Sequence, residues 1–262
     1  MIEPSLLARA GDLEVRLARS AEEIAAAQAL RYRVFFEEGG AIPDAASRAA
    51  RRDLCAFDAS CDHVIVIDHA AAGAPVVGAY RLLRQEVASQ GFYSAAEFDV
   101  EALTARHPSL RFMELGRSCV APGYRGKRTI EALWRGVWAY ALRHRVDAMF
   151  GCASLPGVDP GAHEAALAAL APFSPEPEWR AAPAARARVV AIPVPAGAQE
   201  PRAALRDLPP LVKGYFRLGA RFGADAVVDE TFGVIDLFVV LRVADIQARY
   251  LQHFAPQGAL AA

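Results

Sequence analysis

The stretch FMELGRSCVAPGYRGKRTI, residues 112–130, is the most informative for the fold because it joins an apolar segment to a basic turn. On a regular strand, Glu114 and Ser118 share one face and Arg117 lies on the other. A bulge near Gly116 would re-aim the side chains beyond it and bring Glu114 and Arg117 together. The basic half precedes a predicted helix, whose first N–H groups attract phosphate. The spacing alone leaves two readings open, a phosphate-binding turn and a solvated basic loop.

The composition limits the class of protein. The chain has 262 residues, 54% of them hydrophobic, enough for one elaborate domain or two small ones. A net charge of -1 excludes a polycation of the kind that coats nucleic acid, so no nucleic-acid partner is expected. The four cysteines have no zinc-ligand spacing, and no apolar run reaches about 18 residues. We therefore expect a cytoplasmic protein with free thiols, no metal and no spanning helix.

Periodicity predicts strands and helices in alternation. Strands are expected at residues 14–18, 63–68, 76–83, 111–121, 148–154, 187–194 and 234–243. Helices are expected at residues 20–36, 129–146 and 208–223. Ser20 and Glu23 have the spacing of a capping box at the start of the first helix. Residues 37–62 and most of residues 172–201 read as loops rich in glycine, proline and charge.

A bulged strand followed by a basic turn resembles the GNAT acyltransferase superfamily, whose Arg/Gln-x-x-Gly-x-Gly/Ala turn holds the pyrophosphate of coenzyme A. Here the turn is RGKRTI, residues 125–130. Arg125 matches the first position, whereas Arg128 and Ile130 replace the two small residues. That departure argues against ordinary coenzyme A binding, since the small residues let the backbone approach phosphate closely.

A narrower resemblance covers nearly the whole chain. The segments LRYRVFFEEGG, RRDLCAFDASCDHVIVID, VVGAYRLL, GFYSAAEFDV, FMELGRSCVAPGYR, LWRGVWAY, GCASL, LPPLVKGYFRLGA and FGVIDLFVVL follow one another in this order. Together they resemble the ornithine N-acyltransferases of bacterial ornithine-lipid synthesis, a group similar to the acyl-homoserine-lactone synthases. The resemblance implies an α/β fold, with a GNAT-like mixed, mostly antiparallel central sheet of about seven strands, a bulged central strand and flanking helices. It also implies a single domain over residues 1–262, with an extension from about residue 172 packed on or completing the sheet.

The resemblance further implies transfer of a (3-hydroxy)fatty acyl group to the α-amine of L-ornithine, giving lyso-ornithine lipid. The expected donor is acyl-phosphopantetheine on acyl carrier protein, with direct attack of the amine on the thioester and no bound cofactor. Because the product is amphiphilic, peripheral contact with the inner face of the cytoplasmic membrane stays open. Lys213, Arg217 and Arg221 would then lie along the edge of an interfacial helix, although a core-packed helix with a basic edge is the more common arrangement.

Candidate site residues fall into three groups. The catalytic candidates are Glu114 as general base, Arg117 and Ser118. The candidates for contact with the amino-acid substrate are Arg33, Phe36, Asp53, Asp58 and Asp236. The candidates for the phosphopantetheine arm are Val120, Tyr124, Arg125, Gly126, Lys127, Arg128 and Thr129.

Each group has a structural alternative. For Glu114 the alternative is a structural acid paired with an arginine. For Asp53 and Asp58 it is an ion pair with Arg33 or Arg117 that orders their loop. Asp236, in an apolar strand, would have a structural hydrogen bond. Arg135, Arg143 and Arg145 could contact the acidic carrier or form a solvated helix face. The resembling group more often has an acid where this chain has Cys55, so a role of that acid is absent here or filled by another residue.

Two other functions remain open. An acyl-homoserine-lactone synthase would use S-adenosylmethionine, but the C-terminal segment LPPLVKGYFRLGA resembles the lipid-forming group instead. A non-catalytic module that binds a carrier or a lipid is favoured by Cys55 and by the missing glycines of the turn.

Overall fold

The computed structural model describes residues 5–192 and 208–246 of the chain. Within these residues, nine strands form one sheet in the order β1-β2-β3-β4-β5-β6-β9-β8-β7. Their bounds are β1 Leu6–Ala10, β2 Leu13–Leu17, β3 Asp62–Asp68, β4 Val76–Arg84, β5 Phe112–Val120, β6 Ala148–Pro156, β7 Val189–Ala191, β8 Arg221–Asp229 and β9 Val234–Arg242. The pair β5–β6 is parallel, and the pairs β1–β2, β2–β3, β3–β4, β6–β9, β8–β9 and β7–β8 are antiparallel. The mixed, mostly antiparallel sheet is thus confirmed, with β1 and β8 added to the predicted strands.

The helices of the described chain lie between these strands. Their bounds are α1 Ala21–Tyr32, α2 Ala45–Ala50, α3 Val100–Arg106, α4 Lys127–Arg143, α5 Glu164–Leu170 and α6 Pro210–Leu218. A π-helical turn, Arg33–Glu38, continues α1, and short 3-10 turns include Ala56–Ser60 and Tyr93–Ala96. The region predicted as a loop, residues 37–62, therefore contains α2 and a 3-10 turn. Asp44 caps α2 by accepting a hydrogen bond from Ser47 N at 2.6 Å, a local signal that the loop reading overlooked.

One compact unit of the described chain contains residues 5–90 and 115–146. In it α4 packs against β1 to β4, and Trp134 and Trp138 of this helix are each only 7% exposed. Gly136 permits the approach of α4 to β2, because a Cβ atom there would lie 2.5 Å from Val15 Cγ1. The capping hydroxyl of Ser20 accepts from Glu23 N at 3.3 Å, at the predicted start of α1.

The other compact unit contains residues 91–114, 147–192 and 208–246 of the described chain. Strands β6 and β9 pair along their whole length, from Ala148 with Arg242 to Pro156 with Val234. Buried phenylalanines form the core here, namely Phe98, Phe112, Phe150 and Phe238. The unit therefore has a hydrophobic core of its own.

The predicted helix over residues 208–223 is wrong beyond Leu218. Gly219 has a φ of +94° and ends α6, with its N–H bonded to Phe216 O at 3.1 Å. The chain then becomes strand β8, because the residues that follow pair with β9 in an antiparallel ladder. Of the predicted strand at residues 187–194, Val189–Ala191 forms β7, while residues 193–194 and the loop predicted up to Pro201 lie outside the described residues.

Candidate active site

Strand β5 departs from regular geometry at Arg117, one residue after Gly116, near which the sequence predicted a bulge. Arg117 has a φ of +53°, in the left-handed region that a non-glycine residue rarely adopts. The alternation of side chains is therefore broken at Arg117, as expected for a bulge. The parallel ladder joins only Phe112–Glu114 of β5 to Ala148–Phe150 of β6, although both strands continue for six further residues.

The strand registers place a row of polar side chains on one face of the sheet. Glu114 pairs with Phe150 in the parallel ladder, and Ser154 pairs with Asp236 in the antiparallel one. Cross-strand partners share a face and every second residue of a strand returns to it. Glu114, Cys152, Ser154 and Asp236 therefore line the same face across β5, β6 and β9.

Glu114 holds the segment that crosses this face. Its carboxylate accepts hydrogen bonds from Tyr93 N at 2.9 Å, Ser94 N at 2.7 Å and Ser94 Oγ at 2.5 Å. The residue is only 4% exposed, so these donors replace its water shell. Glu114 thus fixes the 3-10 turn Tyr93–Ala96, and that turn places Glu97 beside β6 and β9.

Three carboxylates form a cluster at the end of this row. One carboxylate oxygen from each of Glu97, Asp229 and Asp236 lies within 4.8 Å of the other two. Ser154 Oγ donates to Asp236 Oδ1 at 2.5 Å, and Cys152 Sγ donates to Glu97 Oε2 at 3.5 Å. We refer to Glu97, Asp229 and Asp236 as the acidic cluster. A set of oxygens of this kind can hold a proton, an ammonium group or a hard metal ion.

The acidic cluster retains a proton at neutral pH. Burial, followed by the negative charges of Asp236 and Asp229, raises the pKa of Glu97 to about 9. Burial and the neighbouring carboxylates also raise the pKa of Cys152 well above its usual value, so this thiol stays neutral. The side chain of Ser94, which bonds Glu114, offsets part of this rise in the pKa of Cys152.

A second group of buried charges lies in the other unit. Arg31 Nε and Arg117 Nε approach Asp53 Oδ2 at 2.8 and 3.0 Å. Asp58 pairs with Arg31 Nη2 at 2.7 Å and with Arg81 Nη1 at 3.1 Å. Burial opposes ionisation of Asp58, but its bonds to Arg31 outweigh that effect and lower its pKa to about 2. Asp53 therefore forms the expected ion pair with Arg117, whereas Asp58 pairs with Arg31 and Arg81 rather than with Arg33 or Arg117.

The predicted acceptor and catalytic residues divide between these groups. Glu114 contacts the 93–94 turn and Arg117 contacts Asp53, so the two residues have different hydrogen-bond partners. Arg33 is exposed on the π-helical turn, and Arg31, two residues earlier, is the arginine within the ion-pair group. Phe36 packs against Tyr32 with ring centroids 5.2 Å apart, and Ser118 is half-buried.

Four residues of these groups were missed by sequence reasoning, because Asp229 of the acidic cluster was not among the candidates either. Arg81 had a usable signal, because it is a lone charge within the apolar strand VVGAYRLL. Arg31 had a weaker signal, since Arg33 lies two residues later in the same predicted helix and was taken as the candidate instead. Glu97 had none, since its partners lie on strands far away in the sequence.

The arginine side chains of the basic turn before α4 do not form one cluster. Arg125 bonds Val120 O at 3.1 Å and Glu38 Oε2 at 2.5 Å, whereas Arg128 bonds Ala10 O through Nε and Nη2 at 3.1 and 2.7 Å. The two guanidinium groups therefore have partners on different segments. Of the other predicted donor contacts, Tyr124 bonds Asp68, Gly126 is exposed at the start of α4, Lys127 is 85% exposed and Thr129 is 4% exposed.

Known proteins share both the sequence and the fold. Residues 30–135 match the family described as acetyltransferase (GNAT) domain. The chain is 52% identical to the L-ornithine Nα-acyltransferase of Agrobacterium fabrum over 97% of this chain and 88% of that protein. It is 46% identical to the L-ornithine Nα-acyltransferase of Brucella abortus over 97% and 92%.

The fold is shared with a solved structure of low sequence identity. An N-acyl amino acid synthase from uncultured soil microbes superposes with a TM-score of 0.53 at 13% identity, over 88% of this chain and 91% of that one. With relatives of this similarity over nearly their full length, the chain belongs to the L-ornithine Nα-acyltransferase family and is an acyltransferase.

Proposed function

We propose that this protein transfers a 3-hydroxyacyl chain from acyl carrier protein to the α-amine of L-ornithine, giving lyso-ornithine lipid. The relatives named L-ornithine Nα-acyltransferase support ornithine as the acceptor. The observation that carries the proposal is the acidic cluster, on the face that also bears Glu114. A cationic amino-acid side chain is the kind of acceptor that such a cluster suits.

In the proposed acceptor site, the side-chain ammonium of ornithine meets Asp229 and Asp236. A buried carboxylate group repels a further negative charge and favours a cation that replaces the proton on Glu97. Asp236 keeps its orientation through the hydroxyl of Ser154. A neutral side chain of the same length would leave these carboxylates without that counter-charge.

The proposed reaction begins with loss of a proton from the α-ammonium group, since only the neutral amine has a lone pair for attack. Glu114 is the proposed base, directly or through water. The amine nitrogen then bonds to the thioester carbon, the C–S bond breaks, and the leaving sulfur takes up a proton.

The proposed donor is the phosphopantetheine arm of acyl carrier protein, with the turn before α4 as its phosphate contact. Arg125 and Lys127 are exposed on this turn, which suits a phosphate carried by an acidic partner. Membrane contact is a weaker proposal, because α6 buries Val212 and Tyr215 and so packs its apolar face inward. Among the described residues, every helix is too short or too polar to cross a bilayer.

A comparison of matched acceptors tests the proposal. The purified chain is assayed with 3-hydroxyacyl carrier protein and either L-ornithine or L-norvaline, which lacks only the side-chain amine. We expect ornithine to exceed norvaline by at least about 100-fold in kcat/KM, a ratio typical of a missing charged hydrogen bond. Equal rates for the two amino acids would contradict an acceptor site built on the acidic cluster.

Two variants refine the test. Asp229→Asn should reduce the preference for ornithine, whereas Glu230→Gln, the exposed neighbour paired with Arg188, should leave it unchanged. Release of a lactone from S-adenosylmethionine, detected by mass spectrometry, would instead support an acyl-homoserine-lactone synthase. Absence of turnover with all acceptors and donors would support a non-catalytic module.

A further inference from the structure

Ile42 is the most exposed of the large hydrophobic residues in the described part of the chain, at 64%. It follows the π-helical turn Arg33–Glu38 at the end of α1. Gly39 closes this turn, at a position where a Cβ atom would lie 2.6 Å from Phe35 O. Gly40 then has a φ of +78°, in the left-handed region that favours glycine. The two glycines therefore allow the tight reversal of the chain that leads to Ile42.

Helix α2 begins shortly after Ile42 and has an exposed face of small apolar residues. Its inner side is marked by Ser47, which is 2% exposed and accepts a hydrogen bond from Leu54 N at 3.2 Å. Successive residues of an α-helix are rotated by about 100°. The side opposite Ser47 therefore consists of Ala45, Ala46, Arg48 and Ala49, all of them exposed. We refer to these four residues together with Ile42 as the Ile42 surface.

The acids of the π-helical turn are already neutralised by arginines. Glu37 is paired with Arg51, and Glu38 Oε2 lies 2.5 Å from Arg125 Nη2. The guanidinium group of Arg51 also lies 5.8 Å from the centroid of the Tyr32 ring, which ties the end of α2 to α1. These two acids therefore do little to offset the charge of the other arginines nearby.

Three arginines near the Ile42 surface have no carboxylate partner. Arg48 Nη2 lies 3.4 Å from Pro43 O, so this cation is adjacent to Ile42. Arg33 is exposed at the start of the π-helical turn, and Arg52 is half-buried just after α2. None of the three forms an ion pair with an acid of the described chain. The region thus combines exposed apolar groups with an excess of positive charge.

We propose that the Ile42 surface binds the headgroup region of a membrane that contains anionic lipid. Ile42 and the alanine methyl groups enter the boundary between headgroups and acyl chains, while Arg48 contacts an anionic headgroup. A protein partner would favour large aromatic anchors at the centre of the interface, and the five residues of this surface include no aromatic side chain. The inference goes beyond the proposed function, because the chemistry of acyl transfer does not depend on it.

Matched controls are available on α4, which packs on the opposite face of the sheet from α1. A Cβ atom on Gly136 of α4 would lie 3.5 Å from Val64 Cγ1 of β3. The preceding residue of β3, His63, bonds Asp58 O, and Asp58 pairs with Arg31 of α1. Successive side chains of a strand point to opposite faces. The Ile42 surface, which is tied to α1, and the exposed side of α4 therefore face different directions.

Co-sedimentation of the full-length chain with vesicles tests the proposal. The vesicles consist of phosphatidylcholine with or without phosphatidylglycerol, and we expect binding only where the anionic lipid is present. Ile42→Ser should weaken binding at least about fivefold, because the variant has no large apolar group to transfer from water. Arg48→Gln should weaken it about fivefold, the contribution of one arginine near an anionic surface. Both residues are exposed, and unchanged thermal unfolding would confirm that the variants fold.

Leu142→Ser and Arg145→Gln are the controls, at exposed positions in the last turn of α4 and just after it. Each should change vesicle binding less than about twofold. Equal losses in the controls, equal binding to vesicles without anionic lipid, or no binding of the natural chain would overturn the proposal. So would a dimer, detected by sedimentation velocity, that Ile42→Ser dissociates while vesicle binding stays unchanged, because a second copy would then occupy the surface. These measurements need no turnover, so their failure would leave the proposed acyl transfer unaffected.

Discussion

Replacing Glu97 by glutamine should make the protein less sensitive to high pH. The pKa of Glu97 is about 9 in the folded chain, against 4.5 for an ordinary glutamate, because the group is buried and faces Asp236 and Asp229. Between these two values the folded chain holds a proton that the unfolded chain has released. The free energy of unfolding therefore falls as the pH rises through this window.

The size of the effect follows from proton linkage. One proton of difference between the two states changes the free energy of unfolding by about 1.4 kcal/mol per pH unit. Glu97→Gln removes this contribution while keeping the shape of the side chain. From pH 6 to pH 8 the variant should therefore gain about 2.7 kcal/mol relative to the natural chain.

Urea unfolding at pH 6, 7 and 8 measures this difference directly. Glu101→Gln, an exposed position on α3, serves as the control and should track the natural chain at every pH. Taking differences between variants cancels the contribution of all other titrating groups. If Glu97→Gln and the natural chain show the same pH dependence, Glu97 is ionised in the fold and the account of the acidic cluster is refuted.

Three further substitutions test other parts of the structure. Glu114→Gln should lower the free energy of unfolding by about 2–3 kcal/mol in urea, because the turn at Ser94 loses its carboxylate acceptor; an unchanged value would refute that role. If the folded variant also loses at least about 100-fold in kcat, Glu114 is the base, whereas unchanged turnover would exclude it. Asp53→Asn should destabilise by about 3–5 kcal/mol, since two buried guanidinium groups lose their shared carboxylate, and a loss under about 1 kcal/mol would contradict a buried ion-pair group. Gly136→Ala should lower the melting temperature, because overpacking against Val15 destabilises the fold by about 1–3 kcal/mol. A higher melting temperature would show that α4 can move away from β2.

The sequence determined the parts of the fold that depend on local pattern. Apolar strands such as VVGAYRLL and VIDLFVVLRV and the capped start of α1 were predictable, because burial on a sheet and N-terminal capping leave direct marks on neighbouring residues. The edge strand β1 was not recognised, and β8 was merged with the preceding helix because its first residues continue the helical composition. Residues 221–229 become a strand through their pairing with β9 and β7.

The candidate site shows the same division more sharply. The sequence by itself identified Glu114 and Arg117 as charges in an apolar strand, and the family resemblance pointed to the acids Asp53 and Asp58. The tertiary structure decided which charges meet. It paired Arg117 with Asp53, placed Glu114 under the 93–94 turn, and gathered the acidic cluster from three segments far apart in the chain. The physical reason is that strand register and the crossing of the 93–97 segment are set by long-range packing, and the pKa of a buried carboxyl depends on neighbours that no local pattern specifies.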